Sequence, residues 1–592
     1  MAGFHSGLEM SKTALLVLMI VALLLAAVGA NRLADTLVLS MYAYRSPVKG
    51  SPPPTREATN PLAAQVVLVV IDGLRYDTSQ QMPTLSSLRR SGAAALLVYP
   101  PPSTTQTAWT TIVTGSGPET NDAPLVDRPT GLIQPIRLDT IFAAASRDSL
   151  TTGVVGLSAW GRLIPPSDLY VHAYVESTAD DGDGEVAEKA CVFLREFQPN
   201  LLLIQFSQLE SVGAQFGPTS EQYAAAALRC DGYLSRIAST MDLGKSVLLV
   251  LSSHGMLERG TFGGAEVPPR LAPFVMVGRG VTPGAYRATG AMDVAPLISA
   301  ILGAPIPAQA LGQISTTMLR MTDHDAATKM LALAAQRLRI GNTYLASIGR
   351  GAISKSAQGD LLTAQSSLLV GNLTSAAELA GLSVQQADLE IVRGRAARLN
   401  AERQARLPIL LAVLGVPALV FWLKRSLRVL WLVLCAVVSV ELYHLLYLWP
   451  GGSYSFSQTA PGELAAQLAP TLANAAVALG VGALLIIWGL RREKDLFQVA
   501  KQVLALALIT LVLIAGGVAL CFVWNGERFT WYIPNLTAAF LHYSLLVQAM
   551  WFAFVGVLLP LPAVLLHWAV SKCLARRRQP RGRSSSNSLQ EA

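Results

Sequence analysis

Apolar positions fall into two patterns along the chain. Residues 13–30 form an 18-residue run without a charge, preceded by Lys12. A helix of that length covers about 27 Å, close to the hydrocarbon thickness of a bilayer. Five further apolar runs occupy 407–423, 429–449, 464–490, 503–524 and 538–570, the last long enough that Pro560 and Pro562 are expected to kink it. Between these ends the period changes. Residues 66–71 are an unbroken β-branched run ending at Asp72-Gly73, matched by 201–206, 246–251 and, more weakly, 273–277. Helical patterns such as 82–91 and 220–241 lie between them. Buried strands alternating with helices predict an α/β fold, a parallel or mixed sheet with helices on both faces.

The connections between the C-terminal runs sort by charge. Lys424, Arg425 and Arg428 fill the first, and Arg491, Arg492, Lys494 and Lys501 the third. The second, 450–463, has no Lys or Arg, and the fourth, 525–537, has only Arg528. Under the positive-inside rule this predicts six spans, both termini cytoplasmic and a large domain outside the cytoplasm, in a cell or plasma membrane. Trp449, Tyr454, Trp524, Trp531 and Tyr532 gather at the exterior ends as an interfacial belt. Glu441 and His444 share a face of the third span, as an intramembrane functional pair or as groups reaching the outer headgroups. Val28-Gly29-Ala30 resembles a signal-peptidase site, but the apolar run exceeds the usual 7–15 residues of a cleaved signal, so an uncleaved anchor is expected.

The expected divisions are an anchor (1–31), a Pro/Ser/Thr-rich tether (32–64), a globular domain (65–320), a helical stalk (321–406), five transmembrane helices (407–571) and a basic tail (572–592). The stalk's Arg393, Arg395, Arg398, Arg403 and Arg406 read as a solvated face or as contacts to lipid headgroups. Composition agrees with a membrane protein: 52% of the 592 residues are hydrophobic and 14% charged, against about 25% in soluble domains. Of the net charge of +8, the tail alone supplies +5, so no nucleic-acid partner is implied. Cys191 and Cys230 could pair outside the cytoplasm or remain buried thiols.

In α/β sheets ligands gather beyond the carboxyl ends of the strands. The polar residues there are Asp72, Ser207 to Glu210, and Ser252-Ser253-His254. A second feature is Pro100-Pro101-Pro102-Ser103-Thr104-Thr105-Gln106-Thr107, a hydroxyl cluster opening a helix. It reads either as an ordinary threonine cap or as a site for phosphate or sulfate.

These residues together resemble the alkaline phosphatase superfamily, in its phosphodiesterase and nucleotide pyrophosphatase branch. The resemblance rests on Val69-Val70-Ile71-Asp72-Gly73, Met82-Pro83-Thr84-Leu85, Pro102 to Thr105 with Thr114-Gly115, Phe216-Gly217-Pro218, His254-Gly255-Met256 and Gly263-Gly264. It covers about 65–315, and the membrane layout is similar to that of the glycosylphosphatidylinositol ethanolamine-phosphate transferases. The resemblance implies two zinc-like ions activating a Thr or Ser nucleophile for phosphoryl transfer. By it, Asp72 matches the first carboxylate ligand, Thr105 the nucleophile (Thr104 and Thr107 the alternatives) and His254 a metal histidine. The departures are Ser253, Glu210, Ala214 and Phe262, standing where the family has Asp, Asp, His and His. What remains is a depleted site of Asp72, Thr105, His254 and Glu210, holding one divalent ion, zinc, or none. Asp122, Glu258 and Glu266 could replace a ligand, and His172 and His324 are read as surface or helix-end residues.

The expected function is that of a membrane-anchored phosphodiesterase or phospho-group transferase acting on an extracytoplasmic phosphoester, a lipid-linked substrate included, with membrane lipid as partner. The alternative is an inactive member of the family that binds a headgroup or a protein.

Overall fold

The computed structural model describes residues 11–48, 59–176, 180–458 and 468–578. Pro52-Pro53-Pro54 of the expected tether, Glu463 and the tail residues Arg581, Arg583 and Glu591 lie outside these described residues. Helix α1 (Lys12–Tyr42) is capped by Ser11, whose hydroxyl accepts the Ala14 N–H at 3.1 Å. It continues past Ala30, because Ala34, Leu37 and Met41 recur at helical spacing and are buried. The first part of the expected tether is therefore helical.

The globular domain is built on one mixed sheet: β1 (Gln65–Ile71), β2 (Ala93–Val98), β3 (Thr152–Leu157), β4 (Val171–Val175), β5 (Leu201–Phe206), β6 (Ser246–Leu251), β7 (Leu271–Gly278) and the short β8 (Gly284–Ala285) and β9 (Thr289–Gly290). Their order is β4-β3-β5-β1-β6-β7-β2-β8, with β9 also on β2. β1 is parallel to both neighbours, with Val66 opposite Leu201 and Val247, whereas β7 runs antiparallel to β6 and β2. One apolar layer takes Val66, Leu68 and Val70 of β1, and the other takes Val67, Val69 and Ile71. Burial on both faces explains why these strands are continuous β-branched runs. Four helices of this domain matter below: α2 (Pro83–Ser91), α3 (Thr105–Thr114), α4 (Gln208–Phe216) and α5 (Glu221–Thr240). Cys191 and Cys230 are separate buried thiols.

Three helices follow, α6 (Asp323–Ser347), α7 (Lys355–Leu369) and α8 (Leu373–Leu423). The last is 51 residues long, with Pro408 and Pro417 inside it, and passes without a break from the stalk into the second apolar segment. Of the arginines read from sequence as a solvated face or as headgroup contacts, Arg393 is exposed, while others meet groups of the protein. Arg395 meets Glu119 of the α/β domain at 2.7 Å, and Arg398 and Arg403 lie over the rings of Trp531 and Trp524 at 4.2 and 3.8 Å. Buried Arg337 of α6 pairs with Asp388 of α8 and donates to the Gly312 carbonyl at 2.7 Å.

The remaining helices are α9 (Leu427–Leu448), α10 (Leu468–Gly489), α11 (Leu496–Asn525), α12 (Leu536–Leu558) and α13 (Pro560–Arg578). Among the described residues, α1, α8 and the helices α9 to α12 make six that are long and apolar enough to cross a membrane. The expected sixth run of 538–570 is two helices, not one kinked span, since Pro560 starts a new helix where its missing N–H is no loss. Lys12 pairs with Asp495 at 3.0 Å at one end of the bundle, while Phe529 N–H donates to Ser40 Oγ at 2.8 Å at the other. Glu441 is exposed, and His444 Nδ1 bonds Tyr454 OH at 2.5 Å, so the histidine turns toward the loop rather than into the bundle.

Glu119 joins the α/β domain to the stalk through Arg395 and through Tyr344, whose hydroxyl donates to Oε1 at 2.6 Å. Charged hydrogen bonds of this kind contribute about 2 kcal/mol. Glu119→Gln is expected to lower stability by about that amount, read as a fall in the thermal unfolding midpoint of the detergent-solubilised protein. An unchanged midpoint would contradict the assignment.

Candidate active site

The carboxyl ends of β1, β5 and β6 lie side by side, and each delivers a polar residue to one place. Asp72 follows β1 and is 1% exposed. Its Oδ1 accepts Trp109 Nε1–H at 2.9 Å and its Oδ2 accepts Gln205 Nε2–H at 2.6 Å. Gln205 is the one polar side chain of β5, and its Oε1 accepts the Leu157 N–H at 2.8 Å. Gly156 makes this possible, because a Cβ there would stand 2.7 Å from Gln205 Oε1. Trp109 is held by stacking on Trp160, with ring centroids 4.7 Å apart.

Thr105 opens α3, one turn before Trp109. Its backbone N–H and that of Gln106 donate to the Asp127 carboxylate at 3.1 and 2.8 Å. Asp127 thus satisfies the first donors of the helix and meets its positive dipole end. Thr104 makes no cap bond. Its hydroxyl donates to Thr107 Oγ1 at 2.7 Å, and Thr107 donates to the Pro124 carbonyl at 2.6 Å. Of the three threonines, Thr105 is the one whose hydroxyl turns to the strand ends.

There it meets two groups. Thr105 Oγ1 is 2.9 Å from Glu210 Oε2 and 3.1 Å from His254 Nε2, and those two atoms are 3.1 Å apart. Glu210 lies in the first turn of α4, which is anchored by Asp183 accepting the Ser207 and Gln208 N–H groups at 2.9 and 3.1 Å. The turn after β1 presses on it: Gly73 has φ +73°, and a Cβ there would stand 2.7 Å from Glu210 Cα. His254, after β6, is fully buried, and its Nδ1 bonds the Gly255 carbonyl at 2.7 Å. Since a carbonyl only accepts, Nδ1 carries a proton, and Nε2 faces both Thr105 Oγ1 and Glu210 Oε2.

Burial, then the Glu210 charge, pushes the Asp72 carboxyl up to about 7 against the opposing Ser253, Trp109 and His254. Burial likewise raises Asp127 to about 6, opposed by the Gln106 N–H and reinforced by Glu210. For His254 burial acts downward, but the Glu210 bond and charge, the Gly255 carbonyl and the Asp72 charge outweigh it and raise the imidazole.

The four sequence-derived residues are therefore divided. Thr105, Glu210 and His254 are mutual neighbours, whereas both oxygens of Asp72 are engaged by N–H donors one helical turn away. Donor atoms about 2.0–2.2 Å from one cation stand roughly 3.3 Å apart, so the three neighbours are spaced to hold a single divalent ion. They do not supply a two-metal cage. Among the described residues no group of three or more His, Cys, Asp and Glu could hold a metal. Phe262 stacks on the His254 ring with centroids 3.9 Å apart, and the buried Ser253 Oγ lacks a full hydrogen bond. No replacement ligand arrives. Asp122 accepts the Ser46 N–H, Glu266 accepts from Ser457, and Glu258 acts on Arg75. His172 stacks on Tyr174, and His324 lies in the first turn of α6. Asp127, Gln205 and Trp109 were missed from sequence. A lone amide inside the apolar 201–206 run was the available signal, because such a group needs a partner.

The rim of the site is built partly by the apolar helices. Gly264 N–H donates to Ser457 Oγ at 2.7 Å, and Ser457 in turn donates to Glu266 Oε2 at 2.7 Å. Ser457 belongs to the loop between α9 and α10. Beside it, Phe456 packs in one cluster with Leu37 and Met41 of α1, Phe540 of α12, and Leu125 and Val126. The last two immediately precede Asp127.

The family model of type I phosphodiesterase / nucleotide pyrophosphatase matches residues 66–122 and 146–259. Over those residues the α/β domain is similar to that branch of the alkaline phosphatase superfamily. A GPI ethanolamine phosphate transferase 2 of Aspergillus fumigatus is 24% identical over 297 residues, 44% of this chain and 38% of that protein. The chain spans well under half of that relative's length. Among solved structures, human ectonucleotide pyrophosphatase / phosphodiesterase 5 covers 40% of this chain and 95% of its own, at 14% identity and a TM-score of 0.33. A phosphonate monoester hydrolase from Silicibacter pomeroyi covers 43% and 76%, at 15% identity and a TM-score of 0.34.

The donor spacing makes a stoichiometric prediction. Protein equilibrated with zinc and then desalted is expected to hold at most one equivalent, lost in the Glu210→Gln, His254→Ala double variant. Two equivalents by elemental analysis would contradict the single-ion geometry.

Proposed function

We propose that this protein is a membrane-anchored phosphodiesterase or phospho-group transferase that acts outside the cytoplasm on a lipid-linked phosphoester, with Thr105 as its nucleophile. The observation that carries this reading is the contact of Thr105 Oγ1 with His254 Nε2 and Glu210 Oε2 at the start of a helix. The coarser part, a phosphodiesterase-like domain in a chain with six membrane-length helices, is already established above.

In the proposed reaction His254 Nε2 takes the Thr105 hydroxyl proton as Oγ1 bonds to phosphorus, and the bond from phosphorus to the leaving oxygen breaks. The proton then passes from His254 to that oxygen. Water or an acceptor hydroxyl reverses the sequence, its proton going to His254 as Thr105 is released. The Gly255 carbonyl fixes the imidazole in the tautomer this requires. A divalent ion on Thr105, Glu210 and His254 Nε2 would be an alternative to that proton transfer, because a lone pair that binds a metal cannot also take a proton; the ion would favour the threonine alkoxide and offset phosphoryl charge. Asp127 holds the helix start that positions Thr105.

Two observations favour a lipid-linked substrate: the Ser457 loop of the bundle touches the Gly264 rim, and the α1 end packs beside the loop carrying Asp127. The basic connections at the other end of the bundle support placing this domain outside, with both termini cytoplasmic. A second reading, a non-catalytic headgroup-binding protein, draws on Phe262 and Ser253 standing at two positions the family gives to metal ligands.

Turnover separates the two. Full-length protein with zinc or manganese is expected to cleave an aryl phosphodiester, and Thr105→Ala to lower kcat by at least about 100-fold. Thr105→Ser should retain most activity. Equal turnover by wild type and Thr105→Ala would overturn the reading, and no turnover with any divalent ion would leave the non-catalytic one.

A further inference from the structure

At the end of the bundle opposite the α/β domain, a cavity of about 790 Å³ opens between α9, α10 and the start of α11. Its volume lies within the range of about 300–1,000 Å³ typical of ligand sites. One wall is apolar, with Leu432 and Ile486, and the mouth carries Arg428 and Arg492. Two acidic residues also line it, but both are engaged. Asp495 pairs with Lys12 at 3.0 Å and accepts the Phe497 N–H at 3.0 Å, while Glu493 Oε1 accepts the Lys494 and Asp495 N–H groups at 2.9 and 3.1 Å. Among the described residues neither Arg428 nor Arg492 forms an ion pair. Deeper in, the Trp431 indole N–H is buried and has no acceptor.

An apolar wall beneath two guanidinium groups without an ion-pair partner among the described residues matches one kind of molecule. It has hydrocarbon at one end and an anionic oxygen cluster at the other. We propose that this cavity binds an anionic phospholipid, its phosphate facing Arg428 and Arg492 and its chains lying along α9 and α10. Arginine suits phosphate because its planar fork presents several N–H donors at once. The site is separate from Thr105 and does not depend on catalysis. Neutral zwitterionic lipid fits less well, since its own ammonium group offsets the charge that the two arginines would meet.

The test uses full-length protein in nanodiscs of equimolar phosphatidylglycerol and phosphatidylcholine, followed by native mass spectrometry of lipids retained after release. Wild type is expected to keep phosphatidylglycerol over phosphatidylcholine by about ten-fold or more. Arg428→Gln with Arg492→Gln should abolish that preference. Lys424→Gln with Arg425→Gln removes the same charge from the same end of the bundle but outside the cavity, and should leave it intact. Equal retention of the two lipids by wild type overturns the proposal. So does equal loss in the two double variants, which would mean general surface attraction rather than a site.

Discussion

The first turn of the helix at Thr105 is the constraint around which the α/β domain is arranged. Asp127 holds its backbone N–H groups, Asp72 holds Trp109 one turn on, and the hydroxyl of Thr105 is left against Glu210 and His254. Each partner comes from a different part of the chain, and the helix start is where they meet. The consequence is electrostatic. Asp72, Asp127 and Glu210 gather round a single imidazole, and no arginine or lysine is among the groups that shift the two aspartates or the histidine. Burial makes such a cluster of negative charge costly, and it raises the Asp72 and Asp127 carboxyls, while Glu210 raises the imidazole. That setting suits a site whose reaction moves a proton off a hydroxyl.

The membrane part does more than tether this domain. A loop of the bundle supplies Ser457 to the Gly264 rim, and Phe456 joins the end of α1 to the residues before Asp127. The stalk is fixed at both ends, by Glu119 on Arg395 and by Trp531 and Trp524 under Arg398 and Arg403. The α/β domain, stalk and bundle are thereby joined through polar and aromatic contacts at the level where the apolar helices begin. That placement is what gives a phosphoester with a hydrocarbon anchor its physical case as a substrate.

Much of the fold was legible because burial on both faces leaves an uninterrupted apolar signature. β1, β5 and β6 announce themselves in this way, and the residues after them are the ones that converge. β2, β3 and β4 were not legible. Ala93-Ala94-Ala95 and the glycines of 152–157 carry little hydrophobic signal, and these strands exist because their neighbours already do. Thr105, Glu210 and His254 could be found because each stands at a strand end or helix start within a recognisable motif. Asp127 could not. It lies in an unpatterned loop between the two matched stretches of the family, and only the folded chain places it against α3. The protein contacts of Arg395, Arg398 and Arg403 could not be read either, since a helix face alone does not say which surface it will meet.

The most direct measurement is peptide mass spectrometry of full-length protein quenched in acid during turnover of a phosphodiester. A phosphorylated adduct on the peptide containing Thr105, assigned to that residue and absent from Thr105→Ser only in so far as it moves to the new serine, is the predicted result. Product formation with the adduct on Thr104 or Thr107, or with no covalent adduct at any time point, would contradict it.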